Sequence, residues 1–305
     1  MEIKKIGIVA NVKKEKAPDY TLALRDWLRK RGIEVLLEKG IAARLCDEQG
    51  LERKTLAANV DLLIVFGGDG TILRTARFTL GYATPIVGIN LGGFGYLTEV
   101  NLNEMYEALE IILRGDFEAD QRMMLDAALN DQEGDEKIYT VLNDVVLNRA
   151  HLSRIISLET YVDGRYLITY KADGLIVATP TGSTAYSLSA GGPIVFPQQN
   201  VIIINPICPH TLTNRPIILP ADVCVQVILR TKEQGAMLTL DGQVSLSLKS
   251  GDTLKIKKSQ HVTTLVSSPH RDYLEILRTK LGWVGLVNAG ATHASPLPER
   301  TPYVD

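Results

Sequence analysis

Five consecutive apolar residues, Leu62-Leu63-Ile64-Val65-Phe66, run directly into Gly67-Gly68-Asp69-Gly70-Thr71. A strand that is apolar at every position needs cover on both faces, which is the pattern of a parallel sheet flanked by helices. The glycines then turn the chain tightly, and Thr71–Leu80 reads as a helix with Thr71 as its cap. Strand, glycine turn and helix start together present backbone N–H groups and the positive end of the helix dipole to an anion such as phosphate. Taken alone, the glycines fit a plain tight turn equally well. Asp69 tips the reading. A carboxylate beside phosphate is repelled unless it works through a bridging cation or takes a proton from an attacking hydroxyl, and both uses belong to phosphoryl transfer. The competing glycine motifs fail: Gly-x-Gly-x-x-Gly would need glycine at 69 or 73, where Asp69 and Leu73 stand, and the Gly-Lys-Ser/Thr of a nucleotide P-loop does not occur.

Around that turn the first 120 residues alternate strand and helix. Lys5–Ala10, Ile33–Leu37, Asp61–Phe66 and Pro85–Asn90 read as strands, and Asp19–Lys30 and Asn103–Arg114 as amphipathic helices. The expected fold for 1–120 is therefore an α/β domain with a Rossmann-like parallel sheet. From 121 to 269 the chain turns to β-branched residues and turn dipeptides. Asp163-Gly164 within Leu158–Tyr170 and Asp241-Gly242 within Met237–Leu248 are hairpin signals, and Arg215–Pro220 and Asp222–Arg230 read as further strands. This half is expected to be a β-rich, sandwich-like domain. A late helix is expected over Asp272–Leu281, and 288–305 reads as a mobile tail.

Composition narrows the function classes. With 33 Lys and Arg against 35 Asp and Glu, the formal charge of −2 leaves no broad basic field for nucleic acid. No apolar run approaches the ~20 residues that cross a bilayer, and Ile6–Ala10 is too short for a signal-peptide core, so no membrane partner is expected. The three cysteines, Cys46, Cys208 and Cys224, are too scattered for a disulfide framework, which suits a reducing, cytoplasmic setting. None of the five histidines has metal-ligand spacing, so no fixed metal is expected, and His210 reads as a loop or cap residue.

Two further loops can join Asp69. Gly88-Ile89-Asn90-Leu91-Gly92-Gly93-Phe94-Gly95-Tyr96-Leu97 follows the fourth strand, and loops at the carboxyl ends of neighbouring parallel strands share one crevice. Asp173–Pro193 carries Thr181-Gly182-Ser183-Thr184-Ala185-Tyr186-Ser187-Leu188-Ser189, a hydroxyl-rich stretch with one aromatic, suited to cradling a polar planar ligand.

In their order and spacing, these motifs, with Leu142-Asn143-Asp144-Val145-Val146, Asn205–His210 and Asp241-Gly242-Gln243, resemble the NAD kinase family from the first strand to about residue 280. Gly-Gly-Asp-Gly is shared with diacylglycerol and sphingosine kinases, but Thr-Gly-Ser-Thr-Ala-Tyr is not expected there. The resemblance implies transfer of the ATP γ-phosphoryl group to the 2′-hydroxyl of the adenosine ribose of NAD. It implies a divalent cation, Mg²⁺, delivered with ATP or another phosphoryl donor, and a homo-oligomer, often a tetramer. It also implies that a helix near 270–285 returns to the first domain. By resemblance, Asp69 matches the general base, Gly70 approaches the dinucleotide, and Arg74, one turn on, is placed to meet phosphate. Asn143 and Asp144 match a pair holding ribose hydroxyls. Asp173, Thr184, Ala185, Tyr186, Ser187, Leu188 and Ser189 match residues around the adenine and nicotinamide ends, and Arg154, Lys171 and Gln243 match dinucleotide contacts. Two departures are visible: Asp144 where glutamate is more common, one methylene shorter, and Phe94 where leucine is frequent. A lipid kinase using the same glycine loop and a non-catalytic dinucleotide sensor are the rival readings.

Overall fold

The computed structural model describes residues 2–93, 95–130, 136–150, 155–230 and 235–283. Arg154, Phe94 and the tail expected over 288–305 lie outside the described residues. In chain order the first half holds β1 (Lys5–Ala10), α1 (Ala17–Arg29), β2 (Glu34–Leu37), α2 (Lys39–Arg44), α3 (Arg53–Ala58), β3 (Leu62–Gly67), α4 (Asp69–Phe78), β4 (Ile86–Asn90), β5 (Val100–Asn101) and α5 (Met105–Leu113). Then follow β6 (Ala119–Asn130), β7 (Glu136–Val141), β8 (Asp144–Arg149), β9 (Ile156–Val162), β10 (Arg165–Ala172), β11 (Gly174–Ala178), α6 (Tyr186–Ser189), β12 (Val201–Ile207), β13 (Ile217–Pro220), β14 (Val225–Arg230), β15 (Ala236–Leu240), β16 (Val244–Leu248), β17 (Thr253–Val266) and α7 (Tyr273–Leu281).

The parallel sheet runs β4-β3-β1-β2. Its central strand shows why the apolar run needs two covered faces. Leu62, Ile64 and Phe66 pack with α1 and α5 residues such as Leu24, Leu28 and Leu109, while Leu63 and Val65 pack with Leu56 of α3 and Ile72 of α4. All six residues of β3 are buried. Each face of the strand thus joins a different core, and both glycine loops are left at the carboxyl ends of adjacent strands, β3 and β4.

The second half is a sandwich. One sheet is antiparallel, ordered β13-β12-β11-β8-β15-β16. Alternate residues Val145 and Leu147 of β8, and Leu175 and Val177 of β11, point into a core shared with Leu158 of β9, Val225 and Val227 of β14, and Ile256 of β17. The opposing strands, β10-β9-β14-β17, continue into the parallel sheet: β17 pairs antiparallel with β14 and β6, and at Leu265 it lies parallel to β4 beside Ile86. One eleven-stranded sheet therefore runs through both halves.

Asp163-Gly164 and Asp241-Gly242 form the two expected hairpin turns. Both residues of each take positive φ, +49° and +74° in the first and +51° and +64° in the second. Val162 pairs with Arg165, so the first is a primed two-residue turn, whereas Leu240 pairs with Val244 and the second loop also takes in Gln243. The late helix α7 starts on Asp272, whose side chain accepts from the Glu275 N–H at 2.7 Å, and stops at Gly282 with φ +68°. Just before it, Arg271 pairs with Glu104 and donates to the Glu99 carbonyl at 2.9 Å; within it, Lys280 lies over the Tyr96 ring at 5.5 Å.

Candidate active site

Helix α4 begins at Asp69, two residues earlier than the glycine turn suggests, and Gly68 is its N-cap. Thr71 is therefore inside the first turn and not the cap. Glycine at 67 is required by a close approach: a Cβ there would stand 2.2 Å from the Thr71 hydroxyl. Asp69, the first helical residue, reaches across to the second glycine loop. Its Oδ2 accepts from the Tyr96 N–H at 2.9 Å, and its Oδ1 accepts from the Leu97 N–H at 3.0 Å, the Thr98 N–H at 3.2 Å and the Thr98 hydroxyl at 3.2 Å. A carboxylate offers about four lone-pair sites, two on each oxygen. Oδ1 is crowded with three donors, while Oδ2 has one and keeps room for another. Asp69 remains half-buried and open to solvent. Gly95 makes this clasp sterically feasible, since a Cβ at 95 would fall 2.2 Å from Asp69 Oδ1.

On the sandwich side, β8 turns Asp144, Val146 and Asn148 to the face opposite the core. They line a cavity of about 250 Å³ with Asn143, Thr239, Asp241, Gly242, Ala185 and Tyr186. Asn143 and Asp144 are held in place by Asp241. Its carboxylate accepts from the N–H groups of Leu142 at 3.1 Å, Asn143 at 2.7 Å and Asp144 at 3.2 Å, and its own N–H donates to the Asp144 carbonyl at 3.0 Å. Among the described residues no donor reaches the Asp144 side chain. That carboxyl is 4% exposed, and desolvation, then the nearby Asp241 charge, raises its pKa from 3.8 to about 7. Burial also pushes Asp241 up, opposed by its three backbone N–H donors and by the Arg77 charge.

The hydroxyl-rich loop is built from the inside. The Thr179 hydroxyl donates to the Leu142 carbonyl at 2.6 Å and accepts from the Gly182 N–H at 3.0 Å. A Cβ at Gly182 would come within 2.1 Å of the Asn143 carbonyl, so the loop can lie against the Asn143 backbone only with glycine here. Ser183 clasps Val195, donating to its carbonyl at 3.1 Å and accepting from its N–H at 3.0 Å, and Asn205 donates to the Ser187 carbonyl at 2.9 Å. These internal bonds leave Ala185 and Tyr186 facing the cavity, Tyr186 being 43% exposed.

The two sides meet at the Asp241-Gly242 turn. The next residue, Gln243, donates from Nε2 to the Gly70 carbonyl at 2.6 Å and accepts at Oε1 from Arg77. The glycine loop and the cavity wall are thus bonded one residue apart.

The residues singled out from sequence divide accordingly. Asp69, Gly70 and Gln243 form one cluster, and Asn143, Asp144, Ala185 and Tyr186 line the adjoining cavity. Ser187 is fully buried against Asn205, and Thr184, Leu188 and Ser189 lie on the short helical stretch beside the cavity, outside its lining. Asp173 sits where β10 meets β11, ion-paired with Arg149 at 3.2 Å, and Lys171 is exposed two residues before it; neither lines the cavity. Arg74 is exposed and makes no hydrogen bond or ion pair among the described residues. Sequence reading missed Asp241, Asn148, Thr239 and Arg77. Asp241 carried a signal, but Asp-Gly between two strands reads first as a hairpin turn. Asn148 follows Asp144 at the strand period of two, on a face that became visible only once its partner strands were in place.

A glycine loop at a helix start, joined by one hydrogen-bonded turn to a cavity with Asn, Asp, Thr and Tyr side chains in its wall, is the arrangement of a nucleotide-dependent phosphotransferase site. The ATP-NAD kinase N-terminal domain family matches residues 6–117, and the ATP-NAD kinase C-terminal domain family matches residues 142–268. The NAD kinase of Geobacter sulfurreducens is 48% identical over 282 residues, spanning 92% of this chain and 99% of that protein, and that of Syntrophotalea carbinolica is 47% identical over 285 residues with the same coverage. An NAD kinase from Archaeoglobus fulgidus, solved in complex with ATP, superposes with a TM-score of 0.72 at 26% identity over 92% of this chain and 100% of that one. Yeast NADH kinase, solved with NADH, shares the fold with a TM-score of 0.86 at 24% identity over 95% of this chain and 91% of that one. The chain belongs to the NAD kinase family, and it is an enzyme that phosphorylates NAD.

Proposed function

We propose that the chain transfers the γ-phosphoryl group of ATP to the 2′-hydroxyl of the adenosine ribose of NAD, giving NADP and ADP. The observation that carries this reading is the Gln243–Gly70 hydrogen bond. It sets a cavity of about 250 Å³, with Asn143, Asp144, Asn148 and Thr239 in its wall, beside the glycine loop that bears the half-buried, solvent-open carboxylate of Asp69.

A ribose hydroxyl is a poor nucleophile at neutral pH. Asp69 Oδ2, with a lone pair left open by the loop clasp, is the acceptor for its proton as the phosphoryl group arrives, an effect typically of about 10²–10⁴-fold. The clasp fixes where that oxygen sits, which supplies alignment. Asn143 and Asp144 hold the ribose; an ionised Asp144 accepts from a sugar hydroxyl and regains the hydrogen bond its buried carboxylate lacks. The N–H groups at the start of α4 favour the phosphate.

A divalent cation, Mg²⁺, enters with the ATP phosphates. The ATP phosphates would hold that cation, and among the described residues no group of three or more His, Cys, Asp or Glu side chains is arranged to hold a metal. When bound, the cation neutralises charge on the transferring phosphate. The walls at Asn143, Asp144, Asn148 and Thr239 suit a hydroxylated sugar better than the acyl chains of a lipid acceptor. The enzyme is proposed to work in the cytoplasm, where its three unpaired cysteines remain thiols, and as a homo-oligomer, a tetramer by family resemblance. Incubation with NAD, ATP and Mg²⁺, reading NADP and ADP together, tests the reaction. Equal ADP and NADP are expected, and ADP release without NADP would refute the acceptor assignment.

A further inference from the structure

The Arg77 guanidinium is an unusual feature of the site. It projects from the third turn of α4 and is half-buried, its Nε–H is buried with no acceptor among the described residues, and its Nη2 donates to Gln243 Oε1. A partly satisfied buried cation is a standing cost, so its place calls for a reason beyond packing.

That reason lies in what a guanidinium cannot do. It donates and never accepts. The Gln243 side-chain amide has two unlike ends, and a donor-only partner at one end forces the oxygen to that side. The amide nitrogen then has to face the Gly70 carbonyl, where it stands at 2.6 Å. Gly70 and Arg77 are seven residues apart, about two helical turns, so Gln243 is held along α4 by both ends of one amide. The same guanidinium acts on Asp241, two residues before Gln243. Among the described residues the charged groups facing the Asp241 carboxylate are Arg77 from α4 and Asp144 from β8, and its hydrogen-bond donors are the backbone N–H groups of 142–144.

We infer that Arg77 is a positioning residue for NAD binding: it latches the Asp241–Gln243 turn onto the phosphate helix in one orientation, and its charge keeps the ribose-side pair Asp144–Asp241 ready to accept hydrogen bonds. This deepens the site reading given above and rests on it. The sign of the charge effect is definite. An ionised Asp144 accepts from the ribose, so NAD affinity rises as pH passes through the range where the Asp144–Asp241 pair loses its last proton. Removing the opposite charge at 77 moves that range upward.

The test is NAD affinity by calorimetry from pH 6 to 9 on wild type, Arg77→Met and Arg77→Lys, with circular dichroism as a fold control. Arg77→Met is expected to bind NAD roughly tenfold more weakly at pH 7 and to move the midpoint of the pH dependence up by about one unit. ATP affinity should stay within about twofold. Arg77→Lys, which keeps charge and donor, should restore the midpoint. A purely structural arginine would lower the melting temperature and leave the midpoint in place, and that result overturns the proposal. Should Arg77→Met not fold, Gln243→Glu carries the test: it keeps a partner for Arg77 but sets an acceptor against the Gly70 carbonyl. It is expected to weaken NAD binding about tenfold, and wild-type affinity there also overturns the proposal. If wild type itself binds NAD with no pH dependence and Asp144→Asn leaves its affinity unchanged, the ribose-side assignment fails too, and the inference falls with it.

Discussion

The two sides of this site each carry an aspartate, in opposite surroundings. Asp69 sits at a helix start and receives three backbone N–H groups and one hydroxyl from the neighbouring loop. Asp144 sits at a strand start in the cavity wall, 4% exposed, with a second carboxylate beside it and, among the described residues, no donor to its own side chain. The first is solvated by the protein before substrate arrives, whereas the second is left wanting a hydrogen bond that a sugar hydroxyl can supply. Identical residue types thus take different tasks: alignment and proton acceptance on the phosphate side, ligand-dependent binding on the ribose side.

The contrast is broken most severely on the phosphate side. Asp69→Asn keeps shape and loses basicity, and kcat is expected to fall about 10²–10⁴-fold while NAD affinity stays near wild type. Gly95→Ala attacks the clasp without touching the aspartate. Its Cβ would lie 2.2 Å from Asp69 Oδ1 and 2.1 Å from the Thr98 hydroxyl, so either the loop or the carboxylate must move. A kcat loss of roughly tenfold to a hundredfold, with KM for ATP nearly unchanged, is expected from steady-state kinetics.

On the ribose side the effects are smaller and carry a sign. Because the folded-state pKa of Asp144 lies near 7, above its ordinary 3.8, the native protein holds a proton there that the unfolded chain releases. Stability tied to this group is present below about pH 4 and is lost as pH rises toward 7. Asp144→Asn removes that loss. The variant is expected to unfold at a higher temperature than wild type at pH 8, by an equivalent of up to about 4 kcal/mol, with the difference gone near pH 4. In the same variant NAD binding by calorimetry should weaken roughly tenfold, a trade of function against stability at one residue. Least affected is Asn205→Ala, which removes the donor to the Ser187 carbonyl beneath the hydroxyl-rich loop. A destabilisation of about 1–2 kcal/mol by chemical denaturation, with kcat little changed, separates loop support from chemistry.

The phosphate side was legible in the sequence because its information is local. An apolar run, a glycine turn and a helix start occupy consecutive positions, and the β1 reading over Lys5–Ala10 coincides with the strand found. The short helices Lys39–Arg44 and Arg53–Ala58 escaped notice, each being six residues with too few turns to show a period. The ribose side is assembled from distant pieces. Asp241 meets Leu142 across 99 positions and Gln243 meets Gly70 across 173, and no spacing rule reports such pairs. The two long strands Ala119–Asn130 and Thr253–Val266 were invisible for a related reason: they pair across a long stretch of sequence with no shared local signal, and it is β17, bonded to β14 and to β4, that fuses the parallel and antiparallel regions into one sheet. Family resemblance supplied Asn143, Asp144 and Gln243 as site residues, and the structure supplies the physical connection among them.

The kinetics of Asp69→Asn, measured beside its NAD affinity, bear most directly on the division of labour between the two aspartates. If Asp69 takes the ribose proton, kcat drops by at least about a hundredfold and the dissociation constant for NAD changes by no more than about threefold. A variant that turns over at the wild-type rate, or one that loses NAD binding in proportion to its rate, would contradict it.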